Sequence, residues 1–143
     1  MKYEWKPSMS VNENKIDSQH KRLLAQIAKL EKNIASRNVN MGVLRDTNHF
    51  LYTYFKEHFT YEEKYMGKIG FPKLEQHKKV HQSFIQFYDG FQRELMEKAR
   101  ARSLTSFDVK EMVVKIKKYL AEWLVDHLMK MDQEYARFAK RIK

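Results

Sequence analysis

The chain has 143 residues, 43% hydrophobic and 32% charged, enough for one soluble domain with a buried core. No apolar run approaches the roughly 20 residues that span a bilayer, and the first fifteen residues lack the apolar stretch of a secretory signal. With no cysteine, disulfides and thiolate ligands are excluded, so any bound metal must rest on histidine and carboxylate. The expected compartment is the cytoplasm. The net charge of +10 gathers at Lys98 to Arg102, Lys115 to Lys118 and Lys140 to Lys143. Such runs read first as solvated faces, and an acidic protein partner, nucleic acid or an anionic surface are the alternatives. No face combines them with exposed aromatics, so nucleic acid is not expected.

Residues 1–16 lack sustained periodicity and read as an extended arm, with Tyr3, Trp5 and Val11 packing on the body. Asp17 or Ser18 is expected to cap a first helix carrying His20, Leu23, Leu24, Ile27, Leu30 and Ile34, ending about Arg37. Asn38-Val39-Asn40 and Gly42 mark the first break. A second helix follows from about Met41 to Met66, with an inward stripe of Leu44, Thr47, Leu51, Tyr54, His58, Tyr61, Glu62 and Tyr65. Gly67, Gly70 and Phe71-Pro72 break the chain again, and Pro72 is expected in the first turn of a third helix reaching about Arg100. Ser103 to Ser106 form the next break, and Thr105 with Asp108 resembles a capping box. The last helix carries Val109, Met112, Val113, Ile116, Leu120, His127, Met131, Tyr135 and Phe138. Four glycines and two prolines leave few interruptions. The predicted fold is all-α: one domain, with an antiparallel up-down-up-down four-helix bundle over residues 17–140.

The ligand-bearing residues share one level of that bundle. His58 and Glu62 are four apart, as are His77 and His81, and an i, i+4 pair shares a helix face at about 100° per residue. His58 with His81, and Glu62 with His77, are both centred between Ile69 and Gly70, so a hairpin folded there brings all four together. His20 reaches the same level by folding at the first break, and His127 by folding at the third. One such pair occurs by chance on many helices, and a lone core histidine is more often hydrogen-bonded than a ligand. Five histidines and a carboxylate at one level would be costly to bury without a metal. His49, about 180° round the helix from His58, is expected to be a non-ligand. Asp132 follows His127 by five residues, about 140° round a regular helix, so it requires a sideways approach or a local distortion.

The order His, His-x-x-x-Glu, His-x-x-x-His, His-x-x-x-x-Asp resembles the hemerythrin family, specifically its single-domain bacterial members. The motifs stand as Ile16-Asp17-Ser18-Gln19-His20-Lys21, HFTYEE at 58–63, HKKVH at 77–81 and WLVDHLMKMD at 123–132. Trp5 and the Gly70-Phe71-Pro72 turn are also similar, and the resemblance covers about residues 5–138. Asn12-Glu13 departs from it, where relatives often have glycine and an apolar residue. The resemblance implies a non-haem di-iron centre that binds dioxygen reversibly, for carriage, storage or delivery. His77, His81 and His127 would bind one iron, His20 and His58 the other, and Glu62, Asp132 and an oxo or hydroxo group would bridge them. It also implies dry walls, for which Leu24, Phe59, Trp123, Leu124, Val125 and Leu128 are candidates. No catalytic residue is expected, and the chain should be a monomer or weak oligomer. An oxygen, nitric oxide or redox sensor, or a peroxide or nitric oxide scavenging enzyme, are the competing functions.

Overall fold

The first helix starts at Glu13, whose carboxylate accepts hydrogen bonds from the backbone N–H groups of Lys15 and Ile16. Helix α1 therefore spans Asn14–Ala35, beginning earlier than the expected cap at Asp17 or Ser18. Asp17 is committed elsewhere. Its carboxylate accepts from Ser10 Oγ at 2.5 Å and from the Val11 N–H at 2.8 Å, which ties the arm to the first turn of α1. The arm is not wholly extended, because Pro7–Met9 makes a 3-10 turn. Tyr3, Met9 and Val11 are buried and Trp5 packs half-buried against the core.

Asn40 caps α2 (Met41–Lys68) by accepting from the Val43 N–H. The helix stops where Gly70 takes φ 70°, a left-handed conformation that costs glycine little. The Phe71 N–H then closes on the Met66 carbonyl at 3.0 Å. Pro72 lies in the connecting turn and not in the helix it was expected to open, since α3 spans Leu74–Arg100. Thr105 and Asp108 form the expected reciprocal cap: the Asp108 N–H donates to Thr105 Oγ1, and the Thr105 N–H donates to the Asp108 carboxylate. Helix α4 then runs Ser106–Asp126.

The computed structural model describes residues 3–102 and 104–142, with Ser103 and the side chains of Leu124, Val125, Leu128 and Met129 outside that description. Within it the fold is all-helical, without a strand. Helix α1 packs on α2 and α4, and α2 also packs on α3 and α4. The bundle's fourth member is interrupted. His127–Met131 winds as a π-helical turn, and α5 (Asp132–Arg141) continues from it. The Asp132 N–H donates to the His127 carbonyl five residues back. That turn holds one residue more than an α-turn and advances the inward face of everything after it by one position. Met131 and Phe138, expected inward, are consequently half-buried, while Asp132, Tyr135, Ala136 and Ala139 are buried.

Apolar burial falls into two clusters. The larger includes Leu23, Leu24, Ile27, Leu30, Leu44, Leu51, Phe55, Phe84, Phe91, Met112, Val113, Ile116 and Leu120. A smaller cluster of Val11, Ile16, Met66, Phe71, Tyr135 and Ala136 closes the end near the α2–α3 turn. Full burial of each such side chain favours folding by roughly 1.5–3 kcal/mol. Among the described residues, no helix is long and apolar enough to cross a membrane.

Candidate metal centre

All seven candidate ligands are buried, none more than 2% exposed. His20 comes from α1, His58 and Glu62 from α2, His77 and His81 from α3, His127 from the π turn and Asp132 from the start of α5. The π turn supplies the distortion that Asp132 requires: across five residues it leaves the aspartate beside His127, at 2.8 Å. His49 is exposed on the far side of α2.

The donors form two groups that share a carboxylate: Glu62, His77, His81 and His127, and His20, His58, Glu62 and Asp132. In the first, Glu62 Oε1 lies 3.1 Å from His77 Nε2, 2.9 Å from His81 Nε2 and 3.5 Å from His127 Nε2. In the second, Glu62 Oε2 lies 3.6 Å from His20 Nε2 and 3.5 Å from His58 Nε2. Asp132 divides itself the same way. Its Oδ1 faces His77 and His127 at 3.1 and 2.8 Å, and its Oδ2 faces His20 at 3.1 Å. Each carboxylate thus offers one oxygen to each group.

Direct hydrogen bonds do not account for this convergence. His20 Nε2 and both oxygens of Asp132 are buried without a hydrogen bond among the described residues, despite separations near 3 Å. His77 and His127 turn Nε2 atoms toward each other at 3.1 Å. Donor atoms about 2.1 Å from a common ion, at right angles about it, stand about 3 Å apart, which is the spacing seen here. Leaving a buried polar atom unpaired costs about 1–3 kcal/mol, and here several are unpaired together. The two groups are able to hold metal ions, and imidazole with carboxylate suits iron.

Residues 12–139 match the hemerythrin HHE cation binding domain. The chain belongs to the hemerythrin family. It is 27% identical to a bacteriohemerythrin of Clostridium acetobutylicum, over 93% of this chain and 98% of that protein. It is 25% identical to a bacteriohemerythrin of Stenotrophomonas maltophilia, over 92% of this chain and 78% of that one. To a myohemerythrin of Riftia pachyptila it is 28% identical, over 93% of this chain and 90% of that one.

Around the candidate ligands, the chain has a second set of contacts that sequence reasoning missed. The Tyr135 hydroxyl donates to Glu62 Oε2 at 2.9 Å. His58 Nδ1 pairs with Gln19 Oε1 at 2.8 Å, and the Gln19 carbonyl accepts from the Tyr54 hydroxyl at 2.7 Å. His81 Nδ1 pairs with Glu63 Oε2 at 2.9 Å. Gln19 and Glu63 each adjoin a candidate ligand in sequence, and a polar residue in that position was the available signal. Three aromatic rings lie flat on the imidazoles: Phe59 on His81 at 3.9 Å, Tyr54 on His58 at 5.2 Å and Trp123 on His127 at 5.0 Å. Among the proposed dry walls, Leu24 and Phe59 are buried and Trp123 is half-buried, whereas the side chains of Leu124, Val125 and Leu128 lie outside the described residues.

Electrostatics in the hemerythrin site follow from burial set against charge. Burial opposes protonation of His20, but Asp132 and Glu62 outweigh it and raise its pKa to about 9. Burial likewise opposes protonation of His127, and the same carboxylates lift it to about 10. His58 goes the other way: burial pulls it down to about 3 despite Glu62. Burial and Glu62 both disfavour the Asp132 carboxylate, yet His127 and His20 hold it well below the usual carboxylate range. Without metal, His20 and His127 are therefore cationic near neutral pH, and a bound cation takes the place of their protons.

Proposed function

We propose that this chain is a non-haem di-iron oxygen-binding protein that takes up and releases dioxygen reversibly and does not consume it. The division of Glu62 and Asp132, one oxygen of each toward each histidine group, is the observation that carries the reading. In it, His77, His81 and His127 hold one iron and His20 and His58 hold the other. Glu62 and Asp132 bridge the pair, together with a solvent-derived oxo or hydroxo group. The side with two histidines has one protein ligand fewer, which leaves room for a small ligand there. When bound, an iron pair supplies the electrons and the open coordination position that reversible dioxygen binding needs.

The chain's own residues do the rest. Tyr135 keeps its proton directed at Glu62 Oε2 and fixes the orientation of that carboxylate. Gln19 and Glu63 fix the ring orientation of His58 and His81. Leu24, Phe59 and Trp123 keep water away. Five imidazoles with only two carboxylates favour the reduced pair over a strongly oxidising one. The whole chain, residues 1–143, acts as one hemerythrin-like domain, a monomer or weak oligomer in the cytoplasm. Its net charge of +10 favours an acidic protein partner.

Metal analysis after anaerobic iron loading should give two irons per chain. Oxygen should then produce a visible absorption that disappears when the gas is removed. A colourless protein, or one metal per chain, would overturn the reading.

A further inference from the structure

We propose that Glu63 is a positioning residue of the metal centre: it fixes the tautomer of His81 and raises that imidazole's electron donation. The inference rests on the ligand reading above. Glu63 is not one of the seven candidate ligands, although it neighbours Glu62 in sequence. Its side chain is 26% exposed, while that of His81 is fully buried, and they meet at 2.9 Å through His81 Nδ1. A carboxylate accepts hydrogen bonds and donates none, so when a metal takes the Nε2 lone pair the remaining proton sits on Nδ1 and is donated to Glu63. That Nε2 lies 2.9 Å from Glu62 Oε1, at the centre of the three-histidine group. Phe59, stacked on His81 at 3.9 Å and 10° between planes, fixes the ring's remaining freedom.

The other histidines make the contrast. His58 has a neutral partner, Gln19, itself only 5% exposed. The Nδ1 atoms of His20 and His127 are buried without any hydrogen-bond partner among the described residues. Among these, a charged residue backs His81 alone. A carboxylate behind a metal-bound imidazole makes it a stronger donor, favours the more oxidised metal and tightens binding. The three-histidine side of the pair is therefore the electron-rich side. Glu63 also forms part of the wall of a groove of about 380 Å³ between α2 and α3, lined by Phe55, Phe59 and Phe84, so this carboxylate joins His81 to the solvent-facing groove.

The test compares wild type, Glu63→Gln and Glu63→Ala, with Gln19→Glu as the reciprocal change. Cobalt(II) and zinc(II) affinities are measured on metal-free protein, and reduction midpoints on iron-loaded protein. Glu63→Gln keeps an acceptor in place without the charge. It should retain wild-type helicity, lose about 10- to 100-fold in metal affinity, and shift its midpoint to more positive potential. Glu63→Ala should lose at least as much affinity, and Gln19→Glu should shift the midpoint to more negative potential. A merely structural role would change folding stability and leave the midpoint in place. Folded Glu63→Gln with wild-type affinity and midpoint would overturn this inference alone. A wild-type chain that takes up neither cobalt nor zinc would overturn the metal reading and this inference with it.

Discussion

The two apolar clusters of the bundle differ in size and in what they rest on. Among the described residues, the larger gathers eighteen buried residues from the arm and all four bundle members, held mainly by apolar packing. Among the described residues the smaller has six, and Tyr135, one of them, is bonded to Glu62 at the candidate metal centre. The charged layer separates the two and touches both, through Phe59 and Trp123 on one side and Tyr135 on the other. One end of the molecule is thus held by hydrophobic burial. The other shares its stability with whatever occupies the donor groups.

The largest loss of stability is expected in the larger cluster. Phe84 is 1% exposed, with its ring 3.9 Å from that of Phe55. Phe84→Ala should cost about 3–5 kcal/mol in urea denaturation, while the folded fraction still binds metal. Next in size is the donor layer. His77→Ala should reduce metal content below two per chain by elemental analysis, with helicity by circular dichroism kept. Chelation of the wild type should quicken amide exchange mainly in residues 62–81 and 127–139, and much less in 23–51 and 109–120.

The pH dependence of the metal-free protein sharpens the contrast further. His20 and His127, with folded pKa values of about 9 and about 10, contribute stability that is full below their unfolded value near 6.5. That stability is lost as pH rises through 9 and 10. His58, held at about 3, acts oppositely and weakens the fold as pH falls from about 6.5 toward 3. Thermal unfolding of metal-free protein should therefore show a midpoint that falls between pH 7 and 10. The metal-loaded protein should show a smaller fall, because the cation has already displaced those protons. The smallest effect is at the cap of α4. Thr105→Ala should cost about 1 kcal/mol in denaturation and leave metal content unchanged.

Much of this was legible in the sequence, for identifiable reasons. The hairpin symmetry about Ile69 and Gly70 needs only helix periodicity and a short turn, so it brought His58, Glu62, His77 and His81 to one level. The reciprocal Thr105–Asp108 cap was readable because capping is local. Asp132 was different. No glycine or proline marks residues 127–131 as a π turn, so regular helix geometry set the aspartate far from His127 and set Met131 and Phe138 inward. The start of α1 was misplaced because Asp17 has two possible uses, and the Ser10 and Val11 contacts that decide between them are tertiary. Tyr135 was missed because an aromatic on an inward stripe reads as core until its hydroxyl is seen to meet a carboxylate.

The π turn also tells where this chain has slack in its length. Removing a single residue elsewhere in a bundle helix rotates everything beyond it by about 100° and turns the apolar face to water. Removing one between His127 and Asp132 has the opposite effect. The turn closes to an ordinary helical one, the histidine and aspartate become four apart, and α5 stays in frame with α4. A one-residue deletion within 128–131 should accordingly disturb the helix frame less than one elsewhere in the four bundle members.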